Sequence, residues 1–308
     1  MKAVKVFCPG TIANVSCGFD VLGLCLDSVG DEMIVRKSDV PGIRITKIEG
    51  ADLPLETKKN VAGVAALAML KEITFEGGFD IEIYKKIKAG SGIGSSAASA
   101  AGAVYGINAL LGNPFTNAKL VEFAMQGEAL ASGAPHADNV APALMGGCTL
   151  VRSYTPLDVI ALPTPSELYA TVVHPQIEVK TADSRAILKH NVTLKKAIQQ
   201  WGNVGGFVSG LFLNDYDLIS RSLEDVIVEP IRSVLIPYFK TVKVATKNAG
   251  ALGSGISGSG PSIFALSKGA DTAHKVADAI HDIYKNSEIK FDIHISKVNP
   301  KGCKVLPL

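Results

Sequence analysis

Apolar positions change period several times along the chain, and each change marks an element. Val4 and Val6 alternate with lysines, and the period of two predicts a first strand. The same alternation returns over residues 33–36 and 43–48, so the opening segment is expected to be β-rich. Asn60 stands where a helix N-cap is needed, ahead of a predicted helix over 61–72. Residues 79–87 read as a strand. Residues 97–111 read as a helix of small side chains, ended by Gly112, Asn113 and Pro114. Thr116 or Asn117 caps a further helix, with Leu120, Phe123, Ala124 and Gly127 on one face.

After Gly146 and Gly147 comes a strand over 148–152, then a passage broken by Pro156, Pro163 and Pro165. A domain boundary is placed there, dividing the chain into 1–160 and 161–308. The second half alternates predicted strands (169–174, 241–246, 263–266, 292–296) with helices (194–201, 272–286). That order suits a ferredoxin-like α+β domain.

The 308 residues are 47% hydrophobic, 19% charged and 6% aromatic, a core-rich globular composition. A net charge of +2 gives no reason to expect nucleic acid. The basic cluster Lys85, Lys86, Lys88 reads as a solvated strand end. No run approaches the roughly 20 apolar residues of a membrane span, and the N-terminal segment is too short in apolar length for a signal peptide. A cytoplasmic protein without membrane partners is therefore expected. Cys8, Cys17, Cys25, Cys148 and Cys303 form no metal-ligand spacing and are expected as reduced, buried thiols. His174, His190, His274, His281 and His294 show no ligand spacing either.

The stretch richest in chemistry is Gly90, Ser91, Gly92, Ile93, Gly94, Ser95, Ser96, followed by Ala97 and Ala98. Alternating glycines let backbone approach a ligand. Free N–H groups at a helix start attract phosphate, and serine hydroxyls can bind phosphate oxygens or a phosphate-bound metal. A nucleotide triphosphate site is the simplest reading. Ser95 after Gly94 excludes a Walker A loop, which needs lysine there. Gly92 to Ala97 fits a dinucleotide fingerprint, but the acidic residue expected about 20 positions on is missing. A glycine-rich turn without a ligand is the bland alternative.

Glu128, at the end of an apolar helix, would be costly to bury without a partner. A magnesium ion carried on nucleotide phosphates is one such partner; a solvated helix end is the other reading. His136, Asp138 and Asn139 form a dense polar cluster in an apolar stretch, a pattern suited to binding. Arg185 and Arg232 could each be a surface ion pair, or together could clamp a carboxylate.

These blocks, in this order, resemble the GHMP kinase family, and its homoserine kinase branch most of all. The glycine stretch resembles the family pattern G-[LI]-G-S-S-A-A. Asn14, Gly18, Phe19, Asp20, Leu22 and Gly23 resemble the branch's A-N-L-G-P-G-F-D-x-L-G; Ile12, Ser16 and Cys17 depart from the fuller pattern. The branch's E-x-x-x-S-G-x-x-H-x-D-N-V-x-P matches from Glu128 to Pro142. Thr181 with Arg185, and Glu229 with Arg232, match its T-x-x-x-R and E-P-x-R. Gly250 to Pro261 resembles the C-terminal glycine-rich motif. Thr11 stands where galactokinase and mevalonate kinase carry lysine, which counts against their substrates.

The resemblance implies an N-terminal ribosomal protein S5-like domain and a C-terminal ferredoxin-like domain, with ATP between them and commonly a homodimer. It implies phosphoryl transfer from ATP to a small alcohol, homoserine. By it, Gly90, Ser91, Gly92, Ile93, Gly94, Ser95 and Ser96 hold the triphosphate, Ser96 and Glu128 hold Mg2+, and Asn60 contacts adenine. Asn14, Asp20, His136, Asp138, Thr181, Arg185, Arg232 and Gly258 line the substrate site, and Asn139 orients the hydroxyl. Another small-alcohol kinase, and a non-catalytic metabolite-binding protein on the same scaffold, are the alternatives.

Overall fold

The computed structural model describes residues 2–179, 181–189 and 191–308, with the side chains of Thr181 and Ala182 also left aside; His190 lies outside the described residues. The order is β1 (Ala3–Ala13), β2 (Leu22–Ser38), β3 (Gly42–Glu49), α1 (Val61–Leu70), β4 (Gly78–Tyr84), α2 (Ser95–Leu110), α3 (Asn117–Ser132), α4 (Val140–Met145), β5 (Cys148–Tyr154) and β6 (Leu157–Leu162). Then follow β7 (Leu168–Pro175), α5 (Thr181–Ala186), α6 (Leu194–Leu213), α7 (Tyr216–Ser222), α8 (Glu229–Arg232), α9 (Phe239–Asn248), β8 (Gly253–Ile256), β9 (Ile263–Lys268), α10 (Ala270–Tyr284), β10 (Phe291–Lys297) and β11 (Lys304–Leu306).

Among the described residues the first sheet runs β11-β1-β2-β4-β3, with β5 pairing β2 and β6 pairing β5. Only β3 and β4 run parallel. The alternation in β1 gives way to continuous burial from Cys8 onward, because its second half is covered on both faces. The small-residue composition of α2 explains how that helix lies so close to the sheet. A Cβ added at Gly102 would stand 2.2 Å from Cys8 Sγ, and one at Gly106 would stand 2.6 Å from a Val35 methyl. Close packing of α2 fixes the position of its N-terminus, which opens on the cleft described below.

The second sheet has the order β10-β7-β9-β8, antiparallel throughout. With α-helices between β7 and β8 and between β9 and β10, this is the expected ferredoxin-like arrangement. The strand expected at 241–246 is instead part of α9. Its β-branched residues imitate a strand pattern, but Phe239, Val242 and Thr246 are the buried positions, and their spacing is helical. Helix α2 begins at Ser95 rather than 97, and α6 runs on to Leu213. The chain end returns to the first sheet, with Phe7 opposite Lys304. All five cysteines are free and buried.

Candidate active site

A cleft of about 540 Å3 lies where the glycine loop, α3, the loop before α4, α5 and the second glycine loop converge. Its floor is set by backbone conformation. Gly90, Gly92 and Gly94 have φ of 72°, 81° and 67°, a region that disfavours residues with a Cβ. A Cβ at Gly92 would meet Ser257 O at 2.6 Å and Gly260 O at 2.7 Å. One at Gly94 would stand 2.1 Å from Thr11 Oγ1. The second glycine loop packs directly on the first: Ser257 Oγ donates to Gly92 O at 2.7 Å, and Ser262 N donates to Ser91 O at 3.3 Å. Gly94 is the N-cap of α2 and offers no side-chain cap, so the first N–H groups of the helix are open to an anion.

Ser91 and Ser95 are occupied within the loop. Ser91 Oγ accepts from Ile93 N, and Ser95 Oγ donates to Ile87 O at 3.0 Å. Ile93 is buried and anchors the loop to β1 through its carbonyl, which accepts from Thr11 N. Ser96 faces the cleft and hydrogen-bonds Glu128 on α3. Glu128 is only 7% exposed, and among the described residues its Oε2 has no hydrogen-bond partner. Burial pushes its carboxyl up to about 7, with the Ser96 hydrogen bond pulling the other way. No group of three or more His, Cys, Asp or Glu side chains forms a metal site among the described residues. What the protein offers is the buried Glu128 carboxylate and the Ser96 hydroxyl beside an uncapped helix start. That donor set fits a magnesium ion whose other ligands are phosphate oxygens and waters.

The far end of the cleft carries opposite charges. Arg185, on α5, holds Asp20 in a bidentate pair, with Nη1 to Oδ2 at 3.0 Å and Nη2 to Oδ1 at 2.9 Å. Asp20 has φ +60° and is fixed through its backbone: its N–H donates to Asn14 Oδ1 and its carbonyl accepts from Tyr154 OH at 2.8 Å. Asn14 Nδ2 donates to Gly258 O at 2.9 Å, and Arg232 Nη1 reaches the same carbonyl. Arg232 also donates through Nε to Ser184 O. Burial, and then the Arg185 charge, pull Arg232 down to about 10, so it is still a cation at neutral pH. The Phe19 ring lies near both guanidinium groups, at 5.4 Å from Arg185 and 5.0 Å from Arg232. Asp138 is buried and lifted to about 7, by burial first and then by the charges of Asp20 and Glu128. His136 Nδ1 stands 4.0 Å from Asp20, and among the described residues its Nε2 has no partner. Burial lowers the histidine, so it is neutral at physiological pH.

Nearly every residue expected in the site lines this one cleft. Asn60 does not. Its Oδ1 accepts from Ala62 N and Gly63 N at the start of α1, and its Nδ2 donates to Pro54 O. The side chain is consumed by capping, and its neighbour Val61 lines the cleft instead. Ile93 is beneath the loop rather than in it. Thr181 begins α5, but its side chain lies outside the described ones.

Three residues escaped the sequence reading. Lys85 is no solvated strand end: it is buried, pairs with buried Asp31, and donates to Ser95 O at 2.9 Å and Ser99 Oγ at 3.1 Å. Asp31 in turn accepts from Lys86 N and Ile87 N. Parity carries the signal, since Ile81, Ile83, Lys85 and Ile87 all fall on the buried face. Thr11, fully buried, donates to Asn139 Oδ1 at 2.7 Å. Tyr154 fixes Asp20 across 134 positions of sequence, which no local pattern reveals.

Comparison with known proteins places this geometry in a family. The GHMP kinases N terminal domain matches residues 60–147, and the GHMP kinases C terminal domain matches 194–286. A homoserine kinase of Chlorobium phaeobacteroides is 46% identical, covering 99% of this chain and 100% of that one. A homoserine kinase of Methanococcus vannielii is 42% identical over 87% of this chain and 89% of its own. The crystal structure of homoserine kinase from Cytophaga hutchinsonii superposes with a TM-score of 0.96 at 53% identity, covering 99% and 98% of the two chains. The chain belongs to the GHMP kinase family.

Proposed function

We propose that this protein transfers the γ-phosphoryl group of ATP to the side-chain hydroxyl of L-homoserine, giving O-phospho-L-homoserine for threonine biosynthesis. One observation carries the reading. A single cleft has a glycine loop with an uncapped helix start and a buried Glu128 at one end, and an Asp20–Arg185 pair with Arg232 at the other. The first end suits a magnesium nucleotide, and the second suits a zwitterionic amino acid.

In this reading the N–H groups of Gly90 to Ser96 hold the triphosphate. Ser96 and Glu128 hold Mg2+, whose chemistry is to neutralise charge on the phosphates as the phosphoryl group leaves. Arg185 and Arg232 take the substrate carboxylate, and Asp20 takes its ammonium beside the Asn14 carboxamide. Neutral His136, Asp138 and the Gly258 carbonyl complete the wall, with Thr181 as a further contact. Asn139, held by Thr11, orients the attacking hydroxyl. The loose transition state of phosphoryl transfer places the burden on positioning and charge, so no strong general base is required. Division at 1–160 and 161–308 leaves the two substrates at the seam, although β11 crosses back to the first sheet. A homodimer is supported by the apolar side chains left open on α6, among them Ile198 and Trp201 at 53% and 59% exposure. A cytoplasmic location suits five free thiols and the need for ATP.

Phosphorus NMR of the protein with ATP, magnesium and homoserine tests this. A homoserine-dependent phosphate monoester is expected; nucleotide and amino acid binding without product would instead favour a metabolite-binding role.

A further inference from the structure

The two groups assigned to opposite charges of the substrate are bonded to each other in the cleft wall. Arg185 and Asp20 form two parallel hydrogen bonds of 3.0 and 2.9 Å, with the side chains 37% and 26% exposed. Each end is held independently of the pair. Asp20 is tied by its backbone to Asn14 and Tyr154, and α5 is tied beside Arg185 through Ser184, which donates to Ser259 O and accepts from Arg232 Nε. The pair can therefore open without unravelling either element. Among the described residues Arg185 Nε is buried with no partner, so the pair with Asp20 leaves one donor of this guanidinium unused.

From this the geometry points to a charge-pair gate that selects zwitterions. The inference rests on the proposed homoserine reading of the same site. A ligand carrying both charges replaces one ion pair with two: its carboxylate takes Arg185 and its ammonium takes Asp20. A ligand with one charge must break the pair and leave the other member without its partner, a penalty beyond the loss of its own missing contact. Selectivity then exceeds what two independent subsites would give.

The test is a double-mutant cycle read with three alcohols: homoserine, 4-hydroxybutanoate (no ammonium) and 3-aminopropan-1-ol (no carboxylate). Asp20→Asn frees Arg185, so kcat/KM for 4-hydroxybutanoate should rise about fivefold above wild type, roughly the worth of an ion pair this exposed, while homoserine use falls. Arg185→Gln frees Asp20 and should raise use of 3-aminopropan-1-ol by a similar factor. In the Asp20→Asn/Arg185→Gln double variant the gain on 4-hydroxybutanoate should vanish, because it comes through Arg185. Independent subsites predict no gain in either single variant, and that result overturns the gate. A gain that survives in the double variant also overturns it, since simple loss of carboxylate repulsion would then suffice. If instead homoserine use is untouched by Asp20→Asn, the ammonium subsite itself is misassigned, a failure distinct from that of the gate.

Discussion

Thr11 and Asn139, 128 positions apart, are joined by a 2.7 Å hydrogen bond directly behind Gly94, whose missing Cβ makes room for it. Thr11 Oγ1 donates to Asn139 Oδ1, so the orientation of the Asn139 amide is set from the buried side while the residue lines the cleft. A threonine with no exposure thus aims a residue of the cleft wall, one to which the proposed function gives the orientation of the hydroxyl.

Thr11→Val keeps the shape and removes that donor. Loss of one such bond is worth about 1 kcal/mol, so kcat should fall roughly five- to tenfold, with KM for ATP and homoserine little changed. Thr11→Ser should restore most of it. Combined with Asn139→Ala, Thr11→Val should add little further loss. Full additivity in steady-state kinetics would show that Thr11 acts elsewhere.

The Lys85–Asp31 pair supports the glycine loop from below, since Lys85 also holds Ser95 O and Ser99 Oγ at the start of α2. Removing one member of a buried pair leaves an uncompensated charge, at a cost of about 3–5 kcal/mol. Lys85→Met and Asp31→Asn should each lower unfolding free energy by that order in urea titrations. The double variant should be less destabilised than the sum of the two. A loss under about 1 kcal/mol in both single variants would mean the pair is solvated.

How far the sequence reaches is clear from neighbouring residues. Asp20, His136, Asp138 and both arginines were legible because their motifs have fixed local spacing, and the fold brings them to one wall. Lys85 was misread because three lysines close together suggest a wet strand end, although parity alone puts it among Ile81, Ile83 and Ile87. The bonds of Tyr154 to Asp20 and Thr11 to Asn139 join distant segments, and nothing local encodes them. The segment 241–246 was misread because β-branched residues carry a strand propensity that tertiary burial of Phe239, Val242 and Thr246 overrides. Asn60 is legible as the N-cap of α1 from its place ahead of the apolar run, and its side chain does cap there.

Glu128 links stability to pH in an unusual direction. Burial lifts its carboxyl from 4.5 to about 7, so the folded protein keeps a proton that the unfolded chain has released. Stability from this group is intact below the unfolded value and is lost as pH rises through the folded one. At 1.36 kcal/mol per pH unit the penalty reaches about 3 kcal/mol. Glu128→Gln should therefore melt higher than wild type at about pH 8 and nearly level with it at about pH 5, both without nucleotide. Mg-ATP should stabilise wild type more than the variant. A melting difference independent of pH would contradict the assignment.

Gly92→Ala tests the contact between the two glycine loops. Its Cβ would press on the carbonyls of Ser257 and Gly260, at a φ of +81° that alanine resists. Nucleotide affinity should drop at least about tenfold in calorimetry, from strain of order 1–3 kcal/mol. Gly90→Ala, at an open position where nothing lies within 4 Å, should suffer less. Equal losses would place the cause in backbone conformation rather than in the packed loops.

In the proposed function one cleft joins a magnesium nucleotide to a zwitterionic amino alcohol. The most direct test is kcat/KM of the wild-type protein, with ATP and magnesium, for homoserine against 3-aminopropan-1-ol. Losing the carboxylate forfeits charge-assisted bonds worth roughly 1.5–3 kcal/mol each. Homoserine should therefore be preferred by on the order of 100-fold or more. Equal use of the two alcohols would contradict the assignment of Arg185 and Arg232 and leave a general small-alcohol kinase in its place.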